Sequence, residues 1–297
     1  MQRRSCNDTF TARAFAPAHI TGFFQIHHHE DPMKKGSTGC GVVLDGGVYT
    51  TVTTGKDIGT TEIFLNDKEV DGETSRTVVE TITDDPVKVE SVSEIPIGCG
   101  FGASGAGALG TAYALNHALS LDHTAGQLND IAHMAEVKNG SGLGDVAGQA
   151  HGGILIRKKP GAPSVSKTDI IPSAEQDVYC VVLGELSTRS ILEDPEMVSN
   201  INTAGKEAMK KLMERPNVEN FMLCSREFTI NTGLADDRIM EVIEAAESVG
   251  VVASQAMLGN AVFSIPPKNY ASKLVDVFSE FGKVSRFRIR TGTVRII

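Results

Sequence analysis

The run from Pro96 to Gly110, P-I-G-C-G-F-G-A-S-G-A-G-A-L-G, carries six glycines and no charged side chain. Glycine tolerates positive φ and lets bare backbone N–H groups approach a ligand closely. An apolar, helix-patterned stretch (Ala106 to Leu121) begins inside the run. The unpaired donors and positive dipole end of a helix N-terminus therefore stand directly behind the glycines. Together they favour a polyanion, and the commonest polyanion of metabolism is a nucleoside triphosphate. A flexible linker is the plainer reading of so much glycine. Linkers, however, seldom run straight into A-L-G-T-A-Y-A-L-N-H-A-L.

Two nucleotide motifs fail here. A Walker A loop needs Gly-Lys-Ser/Thr after four intervening residues, and no lysine lies between Pro96 and Gly110. G-x-G-x-x-G occurs at Gly105, Gly107 and Gly110. A dinucleotide fold, however, wants a strand immediately before it and an acid about 20 residues on, at the end of a second strand. The pattern that fits is P-x-G-x-G-x-G-x-S-G-A, with Ser104 at the loop-to-helix junction. It resembles the phosphate loop of the GHMP kinases, the superfamily of galactokinase, homoserine kinase and mevalonate kinase. A-P-A-H-I-T-G-F-F (Ala16 to Phe24) is similar to that family's first motif, with His19 where the family usually has a cation. A-E-V-K-N-G-S-G-L-G-D-V is similar to its glutamate-then-P-S-G-x-D stretch, with Glu136 and Asp145 at comparable positions. The third motif, normally a glycine run, survives only as S-Q-A-M-L-G-N (Ser254 to Asn260).

Within the superfamily the first half most resembles the archaeal pantoate kinase branch. That resemblance implies ATP-dependent phosphorylation of the 4-hydroxyl of (R)-pantoate, giving 4-phosphopantoate on the route to coenzyme A. It also implies an α+β two-domain GHMP-kinase-like fold. Residues 1–165 would form an N-terminal α/β domain with the phosphate loop, and residues 166–297 a ferredoxin-like C-terminal domain, with a cleft between. A homodimer is compatible with the branch. A kinase for another hydroxy acid (mevalonate, homoserine or shikimate) and a non-catalytic nucleotide sensor remain as alternatives.

Phosphoryl transfer is mostly positioning plus charge stabilisation, and the residues suit it. Backbone amides across Gly98, Gly100, Gly102, Ala103, Ser104, Gly105, Ala106 and Gly107 would wrap the β- and γ-phosphates. The Ser104 hydroxyl and Glu136 carboxylate are hard oxygen ligands for Mg²⁺. Asp145, on a glycine-rich turn, would accept or orient the proton of the substrate hydroxyl. Alone, each has a simpler explanation as a helix-capping serine, a solvated glutamate or a turn aspartate; their joint occurrence favours chemistry. Pantoate adds a carboxylate, for which Arg157 is the first choice because a guanidinium grips carboxylates bidentately. His133 shares a helix face with Glu136 and is a second candidate for the substrate. Lys35, Ser37 and His28 are weaker ones.

The elements that would position these groups follow from pattern. Strand-like segments run over Ala14 to Ile26, broken by Pro17 and Gly22. Gly41 to Thr54 reads as a hairpin about Asp45-Gly46-Gly47, and Ile63 to Val70 and Val87 to Val92 as further strands. Helices are expected over Ala106 to Leu121 and Thr124 to Val137, then a strand at Ile154 to Arg157. The polar stretch Pro160 to Gln176 is the best boundary. Beyond it come a buried strand (V-Y-C-V-V-L-G) and helices at Pro195 to Glu214, Val218 to Ile230 and Asp236 to Ser248. Two short strands and the helix Asn269 to Glu280 follow. A strand pair (Val284 to Ile289 and Thr293 to Ile297) ends the chain.

Composition narrows the classes. The 297 residues, 41% hydrophobic and 22% charged, suit one large or two ordinary globular domains. A net charge of −9 argues against a nucleic-acid partner and requires local cations and dipoles to hold anionic substrates. Five scattered cysteines fit reduced thiols better than disulfides or zinc. His27, His28 and His29 are adjacent, and alternate pointing along an extended chain keeps them from one ion. No run is apolar enough to span a membrane, and the first ten residues lack a signal-peptide core, so a cytoplasmic protein is expected.

Overall fold

In the computed structural model, residues 9–184 and 194–297 are described. Cys6 and the polar start of the chain lie outside them. The backbone of the first half is a long antiparallel ribbon of β1 (Phe10–His27) and β2 (Gly36–Thr54), in register from Phe10↔Thr54 to His27↔Gly36. Pro17 and Gly22 do not break β1. They are absorbed as register shifts between Pro17 and His19 and between Thr21 and Phe23, which let a proline sit without a ladder hydrogen bond.

The expected Asp45-Gly46-Gly47 hairpin does not form, because β2 runs straight through it. A Cβ on Gly47 would lie 2.1 Å from the Ala16 carbonyl, and one on Gly46 2.7 Å from the Phe287 ring. These glycines admit close neighbours; they do not turn the chain.

β2 is forked. Its later half pairs with β5 (Val87–Ser93), and Gly39 to Val42 pair with β6 (Ile154–Lys159). β3 (Glu62–Leu65) adds parallel to β5, and β4 (Lys68–Glu69) folds back through Asn66 and Asp67, both at positive φ. β7 (Lys167–Ile171) extends β6, and β12 (Arg295–Ile296) pairs with the free edge of β1.

Among the described residues, four helices belong with this sheet: α1 (Glu73–Ile82), α2 (Ala103–Ala118), α3 (Ala125–Asn139) and α4 (Asp145–His151). α2 packs on β1 and β2 with α1 and α3 at its flanks. It is apolar nearly all round, as a helix enclosed by neighbours must be. Gly110 lets it settle on the sheet, since a Cβ there would meet Thr50 Oγ1 at 2.5 Å. α2 starts earlier than its apolar pattern suggests, at Ala103, because Gly102 (φ 65°) ends the loop. α3 opens on a capping box made by Thr124 and Gln127.

The second sheet has the order β11-β8-β10-β9, every pair antiparallel: β8 (Asp177–Gly184), β9 (Ser254–Gln255), β10 (Asn260–Ser264), β11 (Val284–Arg288). Between β8 and β9 come α5 (Pro195–Glu214), α6 (Val218–Thr232) and α7 (Asp237–Ser248); α8 (Ala271–Ser279) precedes β11. α5 begins with an Asp194 cap and Pro195, and buries the stripe Ile201, Ala204, Ala208, Leu212. α5 and α6 pack against β1, which joins the two halves through one core. The two C-terminal segments do not pair with each other: β11 lies beside β8 in the second sheet, β12 beside β1 in the first. No described helix is long and apolar enough to cross a membrane.

Candidate active site

Between β5 and α2 the chain turns through Gly98 (φ 71°), Gly100 (φ 85°) and Gly102 (φ 65°), all left-handed. L side chains there cost about 1–2 kcal/mol per residue, so glycine is required by the backbone path. No side chain caps the start of α2. The first amides of a helix have no intrahelical acceptor, so Ala103, Ser104 and Gly105 present free donors at the positive end of the dipole.

Ala103 and Ser104 border a cleft of about 330 Å³. One wall is the glycine loop; the opposite wall is the turn from Ser141 to Asp145. β1 contributes Thr21 and Phe24, β6 contributes Arg157, and the β9–β10 turn of the second sheet contributes Met257 and Leu258. A second hollow of about 180 Å³ shares Ile97, Ala103 and Ser104 with the cleft. It is walled by Ile63, Phe64, Leu65 and Val70 and by the start of α1.

The structure brings Ser104 and Glu136 together. Ser104 Oγ donates to Glu136 Oε1 at 2.5 Å, and Ser141 Oγ donates to the same oxygen at 2.9 Å. Glu136 Oε2 is buried without a hydrogen-bond partner. A Cβ on Gly142 would stand 2.1 Å from it and one on Gly105 3.0 Å, so two glycines leave that oxygen its space. Burial pushes the Glu136 carboxyl up to about 7, helped by the charge of Asp145 and opposed by the two serine hydroxyls. A buried carboxylate oxygen lacking a donor, beside a serine hydroxyl, is the donor set a hard divalent cation takes. The residues present fit Mg²⁺.

Asp145 is the first residue of α4, where its charge suits the helix dipole, and it lies against the loop: a Cβ on Gly102 would be 3.3 Å from its carboxyl carbon. Its Oδ1 is 2.7 Å from His19 Nδ1. His19 is fully buried, and burial holds its imidazole below the usual range against the pull of Asp145, with the Arg157 charge adding to the depression. Arg157, though 2% exposed, lines the cleft; its Nη1 is 3.5 Å from His19 Nε2, its Nη2 is 3.5 Å from Thr21 Oγ1, and its Nε has no partner.

His133 does not line the cleft. Its Nε2 bonds the carbonyl of Lys35 at 3.0 Å, so it ties α3 to the loop that leads to Ser37. Ser37 does line the cleft, and its Oγ donates to Leu143 O at 3.3 Å. His28 and Lys35 border a separate open hollow with His29 and Glu30. Among the described residues no group of three His, Cys, Asp or Glu side chains is placed to hold a metal, the triple histidine included.

Three contributions had no role assigned from the sequence, although each falls in a stretch similar to a family motif: His19 in Ala16 to Phe24, Ser141 in the stretch that holds Glu136 and Asp145, and Met257-Leu258 in Ser254 to Asn260.

Residues 73–153 match the model of the GHMP kinases N-terminal domain. The chain is 37% identical over 278 residues to the pantoate kinase of Thermococcus kodakarensis, covering 90% of this chain and 92% of that protein. It is 36% identical over 258 residues to the pantoate kinase of Methanocaldococcus jannaschii, covering 86% and 92%. A solved structure described as a phosphotransferase related to the CoA biosynthesis pathway superposes with a TM-score of 0.89 at 33% identity, covering 97% of this chain and 98% of that one.

Proposed function

The chain belongs to the pantoate kinase family of the GHMP kinases, and from that membership we propose that it transfers the γ-phosphoryl group of ATP to the 4-hydroxyl of (R)-pantoate. The product would be 4-phosphopantoate, on the route to coenzyme A. The observation that carries the reading is the meeting, at one cleft, of uncapped α2 amides, Ser104 with Glu136 bonded behind it, and Asp145.

The triphosphate lies along Gly98 to Gly107, where amides replace the usual lysine. The apolar hollow beyond Ala103 and Ser104 takes the base. Ser104 and Glu136 hold Mg²⁺, which when bound offsets the negative charge of the phosphates. Arg157 meets the pantoate carboxylate. Asp145 takes the proton of the 4-hydroxyl as its oxygen bonds to the γ-phosphorus and the bond from that phosphorus to ADP breaks. His133 acts at one remove, holding the loop that presents Ser37.

The second sheet is of the ferredoxin-like kind: a strand, helices, two strands, a helix and a strand in the order β11-β8-β10-β9 support this. The expected boundary at 165/166 is better set in Pro172 to Gln176, because β7 still pairs with β6.

ATP consumption over pantoate, mevalonate, homoserine and shikimate tests the acceptor. Turnover is expected with pantoate. Turnover with another acid reassigns the acceptor, and none with any supports a nucleotide sensor.

A further inference from the structure

We infer that His19 is the positioning residue of the transfer site, donating Nδ1–H to Asp145 and accepting from Arg157 at Nε2, so that the base and the carboxylate-binding cation are set by one ring. The inference rests on the roles given above to Asp145 and Arg157.

Three observations carry it. First, the ring is fixed. A Cβ on Gly41 would lie 2.3 Å from His19 Nε2, and one on Gly148 2.3 Å from Cδ2, so glycines of β2 and α4 clasp the imidazole from two sides. Second, His19 reaches both partners and the phosphate loop. Its Nδ1 is 2.7 Å from Asp145 Oδ1, its Nε2 is 3.5 Å from Arg157 Nη1, and its backbone N–H donates to Phe101 O at 3.1 Å. Third, His19 is 0% exposed, so it acts through its neighbours and does not touch substrate.

The partners choose the tautomer. A guanidinium only donates, so Nε2 must offer a lone pair and the single ring proton sits on Nδ1. Asp145 then receives a neutral donor on Oδ1, which orients the carboxylate and leaves Oδ2 for the acceptor hydroxyl. Burial, which disfavours imidazolium, acts in the same direction.

The test has one arm without substrate and one with it. In ¹⁵N-labelled wild-type protein, long-range ¹H–¹⁵N correlation at neutral pH should show His19 protonated at Nδ1 and bare at Nε2, and Asp145→Asn should shift the Nδ1 signal. A bare Nδ1 or an imidazolium overturns the inference, whatever acid the enzyme phosphorylates. In kinetics, His19→Ala should lower kcat on the order of 10- to 100-fold while KM for ATP stays within about 3-fold. His19→Asn, whose amide can replace the Nδ1 donor, should recover most of that loss. A His19→Ala kcat within about 3-fold of wild type, or an Asn variant no better than Ala, also overturns it. Absence of wild-type turnover on pantoate with the Nδ1–H signature intact would count against the acceptor and in favour of the wiring.

Discussion

Asp145 and Arg157 stand in one cleft with different proposed tasks, so their substitutions should separate in kinetics. Asp145→Ala should leave ATP affinity nearly unchanged and lower kcat by about 10²-fold or more. A turnover within a few-fold of wild type would remove Asp145 from the proton-accepting role. Arg157→Lys keeps a charge but loses the planar fork, so KM for pantoate should rise by about 10-fold or more with little change for ATP. Glu136 offers a pH test in the chelated, nucleotide-free protein. Its folded carboxyl is raised from 4.5 to about 7, so the folded state holds the proton more tightly than the unfolded chain. Its contribution to stability is therefore full below about pH 4.5 and is lost as pH rises through about 7. Glu136→Gln, a permanent stand-in for the protonated form, should melt above wild type at pH 8, with the gap closing at pH 4.5. An equal gap at both pH values would show that Glu136 is not held proton-bound.

At the scale of the element, the glycine loop and α2 act as one device, and much of it could be read from local pattern. Gly98, Gly100 and Gly102 are close in sequence, so the left-handed turns that lead into α2 were legible from their spacing. α3, α5 and α7 were legible for a similar reason, since their caps (Thr124, Asp194, Asp236) and apolar stripes are local. Glycine itself is ambiguous. Gly47 has the same sequence signature as a turn glycine, yet it serves the close approach of β1, which only tertiary packing determines. The His19–Asp145 bond was hidden because it joins residues 126 apart in the chain, and no periodicity reports such a contact. Gly100→Ala tests the loop. Its left-handed φ, and a Cβ 2.9 Å from Ala256 O, should lower stability by about 1–2 kcal/mol. KM for ATP should rise several-fold while the KM for pantoate changes less. An Ala variant that binds ATP like wild type would separate the loop from the nucleotide.

At the scale of the molecule, the cleft takes walls from both sheets: Met257 and Leu258 come from the second, and everything that would touch phosphate comes from the first. Binding should therefore be felt across both. ATP with Mg²⁺ at 100 times its Kd should stabilise the fold by about 2.7 kcal/mol. Hydrogen exchange should slow both at residues 98–105 and at residues 256–259. Protection confined to the first segment would show that the second sheet does not close on the nucleotide.

The pairing of β12 with β1, Ile296 beside Ala14, reaches across nearly the whole chain. Closing so long a loop costs chain entropy, and non-local pairings of this kind slow folding. Until residues 295–296 pair with it, the first sheet of this enzyme is open at the β1 edge, and an unpaired edge is a place where one molecule could add a strand to another.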